Sequence, residues 1–360
     1  MKKTLLRTAA ILVAAVLFMP RVRAVSAEKA VLMDASTGRV LYEKNADDRS
    51  LIASTTKIMT ALVICQHCNV LDRVKIPAGA VGIEGSSMYL QEGEILTVQE
   101  LLYGLMLRSG NDAAAALAIY CGGTIEGFAE LMNDKARELG LKDTHFVNPH
   151  GLDAPDHYST ARDLAVLTGY AMQDPVFART VGAKTVTIGE RVLTNHNKLL
   201  WQVEGAEGVK TGYTKAAGRI LVSSASRDGR RMICVTINAP DDWNDHKTLL
   251  ERGFSGYEVR ELVKAGDVLG YRYVVGGDGT HVPLVAEEGF SWAMAEGEEV
   301  EIVLSPRCFS YAPVEAGAPE GCAYVVLEGR VVGRIPLVWG GAMKEQQKQK
   351  AWFIRLFGGT

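Results

Sequence analysis

The hydrophobic period of the chain shifts along its length, and the shifts divide it into segments. Ala9 to Met19 is an unbroken apolar run behind a basic start, Met1-Lys2-Lys3 and Arg7. The run is short for a bilayer span. Val22-Arg23-Ala24 and Val25-Ser26-Ala27 both end like signal-peptidase sites, so the pattern predicts an export signal over residues 1–27. Residues 28–44 alternate apolar and polar around Ser36-Thr37-Gly38, which predicts a β-hairpin. Residues 54–66 carry Ile58, Met59, Ala61, Leu62 and Ile64, apolar on nearly every side, the mark of a centrally buried helix. Thr97-Val98-Gln99-Glu100 opens a helix over 97–107 with a capping box. Helices follow over 112–121 and 125–139, the latter stopped at Gly140, with one more after Asp163.

The period then changes to two. Lys184–Ile188, Ile220–Ser224 and Met232–Ile237 are β-branched strand signals separated by glycine-rich turns, and 243–255 returns to a helical pattern. Helices inserted between an N-terminal hairpin and C-terminal strands predict an α+β domain over 28–257, an antiparallel sheet with a helical lobe and a cleft between them. Over 258–342 short strands (Tyr271–Val275, Val300–Leu304, Ala323–Leu327, Val331–Ile335) spaced by Gly, Pro and acidic turns predict a small all-β domain. Residues 343–360 read as a tail, basic first and then Ala351-Trp352-Phe353-Ile354-Arg355-Leu356-Phe357, suited either to a membrane interface or to packing on the β domain.

Composition narrows the functional classes. The roughly 330 residues left without the signal exceed one ordinary hydrophobic core, in agreement with two domains. With 48% apolar and 22% charged residues, a net charge of −3 and no basic run interleaved with aromatics, the chain gives no reason to expect nucleic acid binding. Six cysteines are too few for a disulfide scaffold at this length. Cys65-Gln66-His67-Cys68 ends an apolar helical run and lacks the second ligand pair of a zinc site, so it reads as structural, while a Cys308–Cys322 bridge stays open.

Three short patterns carry the chemistry: Ser54-Thr55-Thr56-Lys57, Ser109-Gly110-Asn111 and Lys210-Thr211-Gly212. At the first turn of a buried helix, i,i+3 spacing brings the Lys57 amine within reach of the Ser54 hydroxyl. Serine needs a base, and none of the three patterns contains histidine; a lysine serves if burial and a second cation such as Lys210 lower its pKa. The Ser54 backbone N–H, at a helix N-terminus, is a natural oxyanion donor. The plainer reading, an N-cap serine and a solvated lysine, conflicts with the apolar helix that follows. Ser109-Gly110-Asn111 alone is a cap and turn, or else a hydroxyl that shuttles a proton and an amide that holds substrate. Lys210-Thr211-Gly212, placed where a strand would begin, is a solvated edge or a carboxylate-binding cation and hydroxyl beside a glycine that admits ligand backbone.

Together the patterns match the active-site set of penicillin-recognising serine enzymes. The chain resembles the serine-type D-alanyl-D-alanine carboxypeptidases, low-molecular-mass penicillin-binding proteins of peptidase family S11. The likeness extends over Ala30–Tyr42, Leu51–Ser54, Arg108–Ala113, Asn148-Pro149-His150-Gly151-Leu152, Tyr158–Ala161 and Gly208–Thr214. It implies a β-lactamase/transpeptidase-like fold followed by a β-sandwich and an amphipathic anchor. It also implies an extracytoplasmic place, no cofactor or metal, peptidoglycan stem peptides as substrate and β-lactams as acylating inhibitors. By matching motif, Ser54 is the nucleophile, Lys57 its base and Ser109 a further catalytic group. Asn111, Lys210, Thr211, Gly212 and Thr214 bind substrate, and the backbone N–H groups of Ser54 and Tyr213 form the oxyanion hole.

Two departures stand out. An arginine that some members carry after the strand following Lys-Thr-Gly is absent from Ile237–Trp243, which leaves the substrate carboxylate to Thr211, Thr214 or Arg219. The middle motif is Ser-Gly-Asn, where β-lactamases have Ser-Asp-Asn. A β-lactamase would also need a Glu-held water, and Asn148–Asp156 offers only Asp153 and Asp156. The same motifs would also serve a binding-only penicillin sensor or wall scaffold, or a transpeptidase that passes the acyl group to an amine. His145, His150 and His157 fit structural roles better than a metal site.

Overall fold

The computed structural model describes residues 25–305 and 307–346, so the predicted export signal up to residue 24 and the tail beyond 346 lie outside the described residues. The chain divides at Gly253/Phe254 into two compact units.

In the first unit the predicted hairpin is β1 (Lys29–Asp34) and β2 (Val40–Lys44), paired antiparallel with an irregularity at Met33. The small hairpins β3 (Arg73–Lys75) with β4 (Ile95–Thr97) and β5 (Thr185–Ile188) with β6 (Arg191–Thr194) stand apart from the main sheet. That sheet is completed by β7 (Ala206–Thr214), β8 (Gly218–Arg227) and β9 (Arg230–Ile237), in the order β2-β1-β9-β8-β7 and antiparallel throughout. β8 and β9 are buried over unbroken runs because both of their faces are covered, which is why their sequences are continuous β-branched stretches.

The helical lobe is built around α1 (Lys57–His67), buried from Lys57 to Ile64, as its all-round apolar surface requires. Around it lie α2 (Val98–Leu107), α3 (Asn111–Gly122), α4 (Ile125–Glu138) and α5 (Ala161–Ala171). Thr97 and Glu100 close the expected capping box on α2. The segment after Asp163 differs from expectation. α5 starts earlier, at Ala161, with Thr160 as its cap (Asp163 N to Thr160 Oγ1, 3.0 Å). A second helix, α6 (Pro175–Gly182), follows behind an Asp174 cap with Pro175 in its first turn. After the short α7 (Leu199–Gln202), α8 (Asp242–Gly256) packs its Gly253 against Leu32 and Met232. Its His246, fully buried, sits between Ser223 Oγ (2.6 Å) and Thr236 Oγ1 (2.9 Å); burial drives its pKa to about 3, so the neutral ring fastens α8 to β8 and β9.

The second unit is all-β: β10 (Glu258–Val263), β11 (Val268–Val275), β12 (His281–Ala286), β13 (Phe290–Met294), β14 (Val300–Leu304), β15 (Phe309–Tyr311), β16 (Pro319–Leu327) and β17 (Arg330–Trp339). Six strands form one sheet in the order β14-β16-β17-β12-β11-β15, and β10 pairs with β13 in a separate ribbon. Val274, Leu284, Val325, Ile335 and Trp339 centre its core, and Met343, expected to open the tail, is buried there and bridged to Val314.

The other predicted edge also lies inside the fold. The buried Asp245 carboxylate accepts from Ser26 N (2.9 Å), Ser26 Oγ (2.7 Å) and Ala27 N (3.1 Å), and Ala27 is fully buried. Ser26 and Ala27, at the end of the span read as an export signal, are therefore packed within the folded unit. Removing the acceptor leaves two backbone donors and a hydroxyl short of partners, so Asp245→Ala is expected to cost about 1–3 kcal/mol in urea unfolding; an unchanged midpoint would contradict this role.

Candidate active site

Ser54 rides on a 3-10 turn, Ala53–Thr56, that runs directly into α1. The turn is held from below. Ala53 takes a positive φ of 44°, and its carbonyl faces Gly151, where a Cβ would stand 1.9 Å from Ala53 O. Only glycine fits there, and Gly151 is itself in the left-handed region at φ 84°. Asn148 shapes that loop by accepting from Gly151 N (2.7 Å) and His150 N (3.3 Å) through Oδ1. The result is to aim the His150 carbonyl at Lys57, whose Nζ donates to it at 2.6 Å.

Lys57 is enclosed by protein: it is fully buried, with Nζ 2.7 Å from Asn111 Oδ1 and 3.1 Å from Ser54 Oγ. The orientation of the Asn111 amide follows from its other end, since Nδ2 donates to Glu84 O (2.5 Å). Two of the three Lys57 contacts are thus with carbonyl oxygens, which can only accept. A neutral amine satisfies both with its two N–H groups and turns its lone pair toward the Ser54 hydroxyl. Burial, then the Lys210 charge, holds Lys57 well below the ordinary lysine value, against a smaller pull upward from Asp112. Asn111 thus holds the Lys57 amine through Oδ1, while its Nδ2, which carries two N–H groups, gives one of them to Glu84 O.

Ser109 lies just before α3 with φ 60°, almost fully buried, and its hydroxyl has no hydrogen-bond partner among the described residues. Opposite, β7 is the edge of the main sheet, so the backbone groups along its outer side are unpaired by the sheet. Lys210 lies within β7, which begins at Ala206, four residues before the expected start. A Cβ on Gly212 would stand 3.3 Å from Ser54 N, Thr55 N and Ile52 O, which is why the strand approaches the serine turn through a glycine. Lys210 is buried, donates to Thr211 O at 2.8 Å, and burial lowers its pKa to about 7.

A cleft of about 370 Å³ collects Ser54, Ser86, Ser109, Thr211, Gly212 and Tyr213, together with His196, Lys198, Arg219, Asp242 and Trp243. Thr214 is elsewhere: its hydroxyl donates to Asp153 Oδ1 (3.1 Å) and accepts from Ala217 N (3.0 Å), closing the β7–β8 turn. Arg219 reaches Asp242 at 2.8 and 2.9 Å, and the Trp243 ring lies 6.0 Å from both its guanidinium and the Lys198 ammonium. His196, Lys198, Ser86 and Trp243 have no local signature in the sequence; long-range folding alone brings them to the cleft.

Residues 17–241 match the D-alanyl-D-alanine carboxypeptidase family, and residues 257–345 match the C-terminal domain of penicillin-binding protein 5. The chain belongs to the D-alanyl-D-alanine carboxypeptidase family. The carboxypeptidase is 35% identical to D-alanyl-D-alanine carboxypeptidase DacF of Bacillus subtilis over 344 residues, 91% of this chain and 87% of that protein. Among solved structures, penicillin binding protein 5 from Haemophilus influenzae matches with a TM-score of 0.78 at 31% identity, over 89% of this chain and 98% of that one. The Streptomyces K15 DD-transpeptidase matches at 0.62 and 35% identity over 64% of this chain and 98% of its own. The enzyme is accordingly a serine D-Ala-D-Ala carboxypeptidase, with a transpeptidase-like domain and a C-terminal all-β domain, that takes peptidoglycan stem peptides and binds β-lactams.

The remaining candidate residues of the carboxypeptidase serve the frame. His157 joins Thr56 Oγ1 (2.8 Å) to Val147 N (3.2 Å), and burial lowers it to about 4. His145 contacts Asp156 O through Nδ1 (2.6 Å), while His150 contributes its backbone. Lys210 gives a prediction with a definite sign. The unfolded chain keeps this proton until about pH 10, whereas the folded enzyme releases it near 7. Stability therefore rises with pH between those values, and at neutral pH the lysine works against the fold. Lys210→Met is expected to raise Tm by about 5 °C or more at pH 7, with the gain shrinking toward pH 10, while D-alanine release collapses. A lower Tm at pH 7 would contradict the buried-cation account.

Proposed function

We propose that Ser54 attacks the carbonyl of the terminal D-Ala-D-Ala bond while Lys57, as the free amine, takes its proton. The observation that carries this reading is the pair of acceptor-only contacts on Lys57, Asn111 Oδ1 and His150 O, which leave the lone pair for Ser54. The developing oxyanion faces the backbone N–H of Ser54 and of Tyr213 on the free edge of β7. The unpartnered Ser109 hydroxyl passes the proton to the departing amine, and D-alanine leaves. Water then enters and the acyl-enzyme is hydrolysed with Lys57 again as base. A β-lactam acylates the same serine, and its carbonyl carbon stays bonded there because the ring's leaving amine remains tethered.

The substrate's terminal carboxylate fits the cationic side of the cleft: Thr211 with Lys210 beneath it, and Arg219 held across the opening by Asp242. We assign Arg219 to this contact in place of the missing family arginine. The export signal ends after Ala24, since Ser26 and Ala27 are needed inside the fold, and the tail with Trp352, Phe353 and Phe357 beside Arg355 holds the exported enzyme at a membrane surface.

Diacyl-Lys-D-Ala-D-Ala is the test substrate: D-alanine is expected from the wild type and none above background from Ser54→Ala, whereas equal release from both would refute the nucleophile. For Arg219→Gln the expectation is a roughly tenfold higher KM with kcat little changed. The wild-type preference for the free carboxylate over a C-terminal carboxamide should shrink by the same factor. An intact preference would remove Arg219 from the contact. Edman sequencing of the exported enzyme should begin at Val25; a start at Glu28 would show that the Asp245 contacts are dispensable.

A further inference from the structure

Four exposed aromatic side chains of the second unit gather at one edge of its main sheet. Along β11, Tyr271 and Tyr273 alternate with the buried Arg272 and Val274, so the two-residue period turns both rings to the outer face. β15, the edge strand, runs parallel to β11 with Phe309 beside Tyr273 and Tyr311 beside Val275. His281 of β12 pairs with Tyr273 from the other side, ring centroids 5.4 Å apart, and the Phe309 and Tyr311 rings meet edge to face at 5.5 Å. Tyr271, Tyr273, Phe309 and Tyr311 are each 45–69% exposed. A single surface ring is ordinary, but four on two paired strands mark a contact surface.

Tyr311 also lines a cavity of about 420 Å³ with Ser310, Glu315, Glu320 and Trp339. The Glu320 side chain is only 7% exposed; it accepts from Ser310 Oγ (3.0 Å) and lies 3.4 Å from Arg272 Nε and 3.6 Å from Arg307 Nη1. Arg272 in turn donates to the Arg307 carbonyl, while the Arg307 guanidinium reaches solvent. Beside the rings the site therefore offers carboxylate acceptors, a hydroxyl and guanidinium N–H groups, with the Glu320 charge already matched by arginine. The Cys308–Cys322 bridge left open by spacing is not formed in the structure, and Cys65 and Cys68 are likewise unbridged.

We propose that this edge of the second unit binds the glycan strand of peptidoglycan, an uncharged chain of β-1,4-linked N-acetylated hexosamines. A pyranose ring has an apolar C–H face that stacks on aromatic rings, and a rim of hydroxyls that both donate and accept. The exposed rings answer the first, and the paired carboxylate and guanidinium the second. An ionic ligand would find no unmatched charge at Glu320. An anionic lipid surface is further disfavoured because residues 257–345 hold twice as many acidic as basic residues. The stem peptides that the enzyme trims are carried on this glycan, so even a weak grip on the polymer keeps it among its scissile bonds. The assignment rests on that substrate class and is independent of which group is the base at Ser54.

Full-length enzyme is titrated with N-acetylchitohexaose, a soluble β-1,4 chain of N-acetylhexosamine with no peptide for Ser54, and binding is read by saturation-transfer NMR. Transfer to the pyranose C–H protons is expected, with a Kd of about 1 mM or tighter. The double variant Tyr273→Ser, Tyr311→Ser should weaken binding about tenfold, and Tyr311→Phe, which keeps the ring, should preserve it. In the double variant, D-alanine release from intact sacculi relative to release from diacyl-Lys-D-Ala-D-Ala should fall about threefold. No transfer to wild-type-bound hexaose, or equal binding by wild type and double variant, would overturn the proposal. So would a double variant that keeps the hexaose but loses binding to phosphatidylglycerol vesicles, which would assign the face to a lipid surface.

Discussion

A lysine enclosed away from solvent organises this enzyme. Lys57 sits at the base of the helix that follows Ser54, and its amine has three neighbours, Ser54 Oγ, Asn111 Oδ1 and His150 O. Two of them accept hydrogen bonds only. A full ammonium there would make the same three contacts but would bear the cost of burying charge, with the Lys210 cation adding to it. The base we propose is therefore an amine whose lone pair faces Ser54, with no histidine required.

Much of the surrounding architecture follows from holding those two carbonyls in place. Asn148 and Gly151 bend the loop that presents His150 O, and Gly151 is confined to glycine by the Ala53 carbonyl against it. Asn111 is oriented through Glu84 O. Its neighbour Asp112, buried, gathers Met88 N, Leu90 N and the Ser87 hydroxyl, so the 84–90 segment is tied to the start of α3. Gly212 then lets the edge strand come up to the serine turn from the other side.

How much of this can be read from the residues alone depends on range. Ser54 and Lys57 are one helical turn apart, and their partnership is visible in i,i+3 spacing. The all-round apolar α1 and the Thr97 capping box are equally local signals, and the α+β class follows from the order of periodicities. Asn111 is visible as part of a motif, but its role is not, because its partners Lys57 and Glu84 are distant in sequence. Thr214 is adjacent to Lys-Thr-Gly in sequence, and at the end of β7 its hydroxyl accepts from Ala217 N in the turn that follows, a contact that adjacency does not announce. His196, Lys198 and Trp243 are invisible because nothing in a short window announces a contact made across the fold.

The central claim is that Lys57 works as a neutral base near physiological pH, and the pH dependence of Ser54 acylation by penicillin tests it most directly. Stopped-flow acylation rates from pH 4 to 11, on wild type and Asn111→Ala, separate the base from its orientation. The account predicts an acid limb with a midpoint far below the ordinary lysine value, and a much slower reaction in Asn111→Ala, where the amine loses one of its two acceptors. A wild-type rate that climbs only as pH approaches 10 would mean that Lys57 is an ordinary ammonium in the resting enzyme, and the base would have to be sought elsewhere.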